Sequence, residues 1–426
     1  MIRSDSEVRG RLSCLLEDDL AFRNNGKSYL LHSLHAFAAR FPPPLPRHFI
    51  EGLSLPGETV LDPMSGSGAT LVEGWLLSRD TIGIDLDPLS LRLGKVKTVW
   101  IDPEQVGHAG QRVIDTALRW HRMGDPLAQF LESMDDATRE FINYWFKLET
   151  QKELAALVLS VNEELDPKVK DLFEVLISSI IVTKSGGVSI ARDLAHSRPH
   201  RVANKTPRNA IKMFQAQLNH VIKAFKEVSY IPKGRSTILG GDCRQMPLAD
   251  ETVDLIVTSP PYANALDYMR AHKFSLVWLG STIKPLSLLR GKYIGSEKLS
   301  NWEGVTLPDA VKAVVEMLGM LDQRKAKILN QYFRDMSLAI QEMYRVIRQG
   351  RAVVIVVGPS TMRGLKIDTH DHLAAIATEI GFDVVGVVSR PIDRDKRMMP
   401  ARWQNNGQSV IEQRMHEEFV LGLIKP

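Results

Sequence analysis

The sequence predicts an α/β protein: a mainly parallel seven-stranded sheet with helices on both faces, a C-terminal antiparallel hairpin and a helical insertion. Three observations carry this. Short β-branched runs ending in Gly, Asp or Pro alternate with stretches of helical spacing. The last two runs are joined by a loop with no helical pattern, as in a hairpin. Between the second and third runs lie roughly 135 residues, far more than a βα crossover needs.

The strands are expected at 58–63 (ETVLDP), 81–87 (TIGIDLD), 236–242 (STILGGD), 253–261 (VDLIVTSPP), 352–359 (AVVIVVGP), 382–391 (FDVVGVVSRP) and 417–426 (EEFVLGLIKP). Crossovers link most of the first five, so those strands run parallel, and the terminal hairpin adds one antiparallel strand. Residues 1–100 then hold the first part of the sheet domain and 101–235 a helical insertion. Residues 236–280 return to the sheet, 281–328 form a smaller insertion, and 329–426 complete the domain. Apolar residues at three and four spacing in DATREFINYWFKLETQKELAALVLSV and PRNAIKMFQAQLNHVIKAF mark the larger insertion as helical.

Composition excludes several classes. With 44% hydrophobic and 24% charged residues the chain is an ordinary globular sequence rather than a disordered one. Cys14 and Cys243 are the only cysteines, too few for a disulfide scaffold or a cysteine-rich zinc site. The longest apolar run, LFEVLISSIIV at 172–182, is shorter than a membrane span and contains Glu174. The opening MIRSDSEVRG lacks the apolar core of a signal peptide. A cytoplasmic protein is expected. No metal is expected either: His32 and His35 in LHSLH have no further metal-spaced partners and read as helix or core residues.

Four strand ends carry the chemistry. TVLDPMSGSGATLVEG places Asp62, Gly66 and Gly68 between the first strand and a helix, where glycine lets the backbone turn sharply and approach a ligand. No Gly-Lys-Ser/Thr follows, so this is not a phosphate-gripping P-loop, and the third glycine of a dinucleotide fingerprint is missing. GIDLDP ends the second strand with Asp85, placed to accept ribose hydroxyls. GDCRQMP ends the third with Asp242, placed to accept from an adenine amine. The fourth strand runs into Ser259-Pro260-Pro261-Tyr262, where two prolines remove two backbone donors and send the chain out of the sheet as a stiff loop. Each feature alone is weak. Their succession on four consecutive strand ends is not.

LDPMSGSGAT, GIDLDP, GDCRQMPLADETVDLIVTSPPY and YFRDMSLAIQEMYRVIRQGRAVVIVVG together resemble the S-adenosylmethionine-dependent DNA amino-methyltransferases over residues 30–95, 236–280 and 330–426. The serine of TSPPY is typical of their cytosine-N4 branch, although in many cytosine-N4 enzymes SPPY precedes the Gly-rich motif and here it follows. The resemblance implies a Rossmann-like methyltransferase fold, S-adenosylmethionine as cofactor and double-stranded DNA as partner. It places Asp62, Gly66 and Gly68 around the methionine moiety, Asp85 on the ribose and Asp242 near the adenine, with Phe41 and Pro44 flanking. Thr70 is a candidate carboxylate contact and equally a candidate helix cap.

Ser259, Pro260, Pro261 and Tyr262 are the implied catalytic residues. The Pro260 carbonyl accepts from the target amine, Ser259 engages its other N–H or the ring nitrogen, and Tyr262 stacks on the extruded base. An adenine-N6 enzyme, an RNA base methyltransferase and a non-catalytic DNA-binding module remain alternatives, and pairing with a restriction endonuclease is left open. A formal charge of +4 assigns any nucleic-acid footprint to local clusters. The candidates are Arg192, Arg198 and Arg201 in 184–208, and Arg390, Arg394, Arg397, Arg402 and Trp403 in 389–407.

Overall fold

Seven strands form one sheet in the computed structural model, which describes residues 5–22, 30–183, 186–228, 231–263, 266–296, 304–392 and 416–426. They are β1 (Thr59–Asp62), β2 (Asp80–Asp85), β3 (Ser236–Gly240), β4 (Val253–Thr258), β5 (Ile347–Val357), β6 (Asp383–Pro391) and β7 (Glu417–Ile424). Their spatial order is β6-β7-β5-β4-β1-β2-β3. Neighbours among β1 to β5 pair in parallel, and β7 runs antiparallel to both β5 and β6. The fold is therefore α/β, with a mostly parallel sheet and its antiparallel strand late in the chain. β5 begins at Ile347, where the sequence suggested 352. Exposed Arg348 and Gln349 hide its start, yet Ile347 already pairs with Val253.

Side chains alternate across the sheet and build a core on each face. Leu61, Ile256, Val353 and Leu421 point to one side, under helices later in the chain; Val60, Leu255, Val354 and Val420 point to the other, under α1 (Asp5–Glu17) and α2 (Pro44–Leu53). α3 (Ala69–Leu76) and α4 (Pro88–Lys97) follow β1 and β2.

Six helices then fill most of the stretch before β3: α5 (Pro103–Met123), α6 (Pro126–Leu131), α7 (Asp136–Trp145), α8 (Leu148–Asn162), α9 (Pro167–Ile181) and α10 (Ala210–Lys226). One dipeptide explains many of the starts. Asp-Pro opens α4, α5, α6 and α9, with the aspartate accepting a backbone N–H of the first turn and the proline at a helical position that needs no donor. Leu89 and Leu93 of α4, Phe173 of α9 and Phe214 of α10 share one core with Phe274 and Trp278, so the inserted helices pack as part of the sheet domain's flank. A short hairpin, Ala191–Arg192 with His200–Arg201, separates α9 from α10.

Beyond β4 come α11 (Met269–Leu276), α12 (Ile283–Arg290), α13 (Asp309–Leu321), α14 (Gln323–Val346) and α15 (Thr369–Ile380). α14 starts at Gln323, capped by Asp322, so the boundary drawn at 328 falls inside a helix. Among the described residues no helix is long and apolar enough to cross a membrane.

Candidate functional site

β4, β1, β2 and β3 are neighbours in the sheet, and the chain turns to opposite sides at the β4/β1 boundary. Such a switch point leaves a crevice beyond the carboxyl ends of the strands. A cavity of about 520 Å³ lies there, lined by Asp62, Asp85, Asp242 and Ser259, one from each strand end. Phe41, Gly66 and Pro261 line it as well.

The loop after β1 is shaped by its glycines. Gly66 and Gly68 hold φ of 47° and 77°, a left-handed backbone that a side chain would strain. The Gly68 N–H donates to the Ser65 carbonyl at 2.7 Å, which tightens the turn into α3. From below, Lys97 donates to the Ser67 carbonyl at 2.8 Å. Burial, with Arg40 nearby, pulls that ammonium down to about 7.

Three acids surround this loop. The Gly66 N–H donates to one oxygen of Asp85 at 2.8 Å and the Asp87 N–H to the other at 2.8 Å. Burial and the charge of Asp87 push Asp85 up to about 7. Asp62 accepts from the Thr258 hydroxyl at 2.7 Å and from the Met64 N–H at 3.2 Å, and burial raises it to about 6. Asp87 caps α4 and pairs with His272 at 2.6 Å. Burial opposes ionisation there, but His272 holds the carboxyl below its usual range.

Asp242 is held differently. Both its oxygens accept from Arg244, whose guanidinium also donates to buried Asp335 at 2.6 Å and to the Lys292 carbonyl.

Several residues named from sequence lie elsewhere. Thr70 is fully buried and donates to the Val257 carbonyl at 3.2 Å, so the cavity wall does not include it and a carboxylate contact is ruled out in this arrangement. Pro44 opens α2, Gly68 caps α3, and Pro260 is buried; none of the three lines the cavity. Tyr262 packs against the core beneath β5 and its hydroxyl donates to Glu418 of β7 at 2.7 Å.

Arg390 is corrected as a DNA candidate. Only 6% exposed, it donates to the Leu20 carbonyl and to Glu418, which fixes the end of β6. Arg394, Arg397, Arg402 and Trp403 lie outside the described residues. Arg192 is exposed on the short hairpin, Arg201 lies over the Tyr144 ring, and Arg198 reaches the cavity.

Sequence reasoning missed an aromatic wall. Phe37 stacks on Tyr268 with ring centres 5.5 Å apart and lies beside His272, and both Phe37 and Tyr268 line the cavity near Gly66. Phe37 stands in the LHAFAARFPPP segment and Tyr268 just beyond SPPY, and neither sits in a periodic pattern. His32 and His35 are buried against Glu73 and Ser178, and burial drives His35 down to about 3.

Comparison with known proteins fits this geometry. The DNA methylase family profile matches residues 18–95, from the segment before β1 through the Gly-rich loop to Asp85 and α4. The Type II methyltransferase M.MvaI of Kocuria varians is 24% identical over 397 residues, covering 86% of this chain and 85% of the relative. The chain is similar to Type II DNA methyltransferases over most of its length and to the DNA methylase family over its first sheet motifs. A second relative, the Type II methyltransferase M.BsoBI of Geobacillus stearothermophilus, is 20% identical over 415 residues, covering 85% of the chain and 80% of the relative. M.AvaI of Nostoc sp. reaches 30% identity over 156 residues, 32% of each chain. Among solved structures, a TehB-like S-adenosylmethionine-dependent methyltransferase from Corynebacterium glutamicum aligns over 94% of this chain and 90% of its own length, with 10% identity and a TM-score of 0.29.

The residues present suit the family's cofactor, S-adenosylmethionine. The cavity holds an acidic floor for a cation, an aromatic wall, and a Ser65 hydroxyl that is buried with no hydrogen-bond partner among the described residues.

Proposed function

We propose that this enzyme methylates the exocyclic N4 amine of cytosine in duplex DNA at a specific site. The observation that carries the reading is the convergence of Asp62, Asp85, Asp242 and Ser259 on one cavity at the switch point. Asp85 accepts the ribose hydroxyls, Asp62 and the Gly66 turn hold the methionine end, and Asp242 faces the adenine. Phe41 and Phe37 cover the cofactor from the side. When bound, S-adenosylmethionine supplies a methyl group activated by a sulfonium. The amine that takes up this methyl group would release its surplus proton to solvent.

The chain's own task is alignment and polarisation. The Pro260 carbonyl follows the end of β4, and because Pro260 is buried off the cavity wall, it would accept one N–H of the amine only after the loop shifts toward the base. Cytosine N3 is an acceptor in the neutral base, and the Ser259 hydroxyl donates to it. Pro261 stiffens the loop, and Tyr262 offers its ring to the extruded base. Its hydroxyl contact with Glu418 fixes where the ring starts. The names of the Type II relatives support site-specific modification beside a restriction endonuclease.

Adenine also presents an acceptor, N1, beside its amine, so an adenine-N6 enzyme is the second reading. Mass spectrometry of DNA methylated by the protein and digested to nucleosides separates the two. N4-methylcytosine is expected; N6-methyladenine alone would overturn the cytosine assignment and leave the cofactor site standing.

The raised carboxyls give a pH dependence of known sign. Burial raises Asp62 to about 6 and Asp85 to about 7, and a cationic ligand favours their ionised forms. Affinity for S-adenosylmethionine should therefore rise between pH 5.5 and 8. S-adenosylhomocysteine, neutral at sulfur, should gain less over the same range. Calorimetry at both pH values checks this, and equal gains for the two ligands would separate the acids from the sulfonium.

A further inference from the structure

The cavity sorts its charges. Asp62, Asp85, Asp87 and Asp242 lie along the strand ends, as suits a cationic cofactor. The wall contributed by the surrounding helices and loops is cationic instead. Arg198 comes from the inserted segment after the short 3₁₀ turn Leu194–His196, Arg270 from the first turn of α11, Arg290 from the end of α12, and Arg324 and Lys325 from the first turn of α14. A single lining acid, Asp267, stands among them and pairs with both Arg270 and Arg290. Those two side chains remain 52% and 42% exposed, so neither charge is withdrawn from solvent. Arg40, the remaining lining cation, donates to the His32 carbonyl beside the Gly-rich loop.

A cavity rimmed by five cations and floored by four acids has two ligands of opposite charge to accommodate. We propose that Arg198, Arg270, Arg290, Arg324 and Lys325 form the track for the phosphodiester backbone of the strand whose base enters the cavity. The inference rests on the DNA methyltransferase reading and adds the surface through which the substrate is held. Phosphate contacts position a strand without reading its sequence. Cations at the mouth of a base pocket fix the nucleotides on either side of the extruded one, where the duplex no longer holds them. The track joins the inserted helices to α11, α12 and α14, so elements far apart in sequence engage one strand together.

The test uses the full chain and a mixed-sequence 30-base-pair duplex as probe. Arg270→Gln, Arg290→Gln and Arg324→Gln are combined in one variant. Each phosphate contact contributes about 0.9 to the slope of log affinity against log salt. The variant should lower that slope by about 2 to 3 and raise KM for DNA, with cofactor affinity and kcat at saturating DNA close to wild type. Because removing both partners of Asp267 can disturb the fold, a second variant carries only Arg324→Gln and Lys325→Gln, and it should lower the slope by about 1 to 2. An unchanged salt slope in a folded variant overturns the track. Wild-type protein that transfers no methyl group to DNA overturns the reading beneath it.

Discussion

Asp85→Ala should abolish useful cofactor binding while leaving the protein folded. The carboxylate accepts two backbone N–H groups, from Gly66 and from Asp87, and so ties the Gly-rich turn to the end of β2. Hydrogen bonds to a charged group contribute about 1.5–3 kcal/mol each. With Asp85 ionised, at a pH above about 7, losing both costs the loop's arrangement at least about 3 kcal/mol, or more than a hundredfold in affinity, before any contact to the ribose is counted. Asp85→Asn should fall between, since an amide keeps one acceptor but sets its NH₂ against a backbone donor. Calorimetry with S-adenosylhomocysteine measures the loss, and circular dichroism checks the fold. Wild-type affinity in a folded Asp85→Ala protein would remove Asp85 from the site.

Arg244→Met should produce the largest loss of stability. The guanidinium is nearly inaccessible and donates to Asp242, to Asp335 and to the Lys292 carbonyl, so it joins β3's exit loop to α14. Removing one partner of a buried ion pair leaves an uncompensated charge and costs about 3–5 kcal/mol. Asp335 is the exposed consequence: burial already raises its carboxyl, and without Arg244 it would have to take up a proton. Denaturant unfolding should show the loss, and Arg244→Met combined with Asp335→Leu should recover part of it. A single variant as stable as wild type would show that the network is not needed for folding.

The parts of the fold legible in the sequence were those with a strict local cause. Strand ends were marked by Asp62, Asp85, Asp242 and the paired prolines, because breaking a ladder needs a recognisable residue. All four of these ends meet at the cavity. The start of β5 was not legible, since Arg348, Gln349 and Gly350 are polar or flexible and only the partner strand makes them extended. Thr70 and Arg390 misled for a common reason. Sequence shows where a polar side chain is attached to the chain, but not which carbonyl a neighbouring element brings to it, and Val257 and Leu20 supply those carbonyls. The wall of Phe37 and Tyr268 and the cations Arg270, Arg290 and Arg324 escaped notice because they come from separate elements that only the tertiary fold assembles.

The placement of β7 between β5 and β6 bears on how the protein is made. A ribosome delivers β1 to β4 first, so the strands that surround the cavity can pair while later residues are still in the exit tunnel. β5 and β6 then wait for the strand that belongs between them. Until 417–424 emerges, β5 presents an unpaired apolar edge, the type of surface that joins one nascent chain to another. Glu418, the anchor of the Tyr262 hydroxyl, arrives on that same strand. The ring proposed to meet the DNA base is thus fixed only after 417–424 has emerged, and a nascent chain can hold the floor of its cofactor cavity well before it can hold its target.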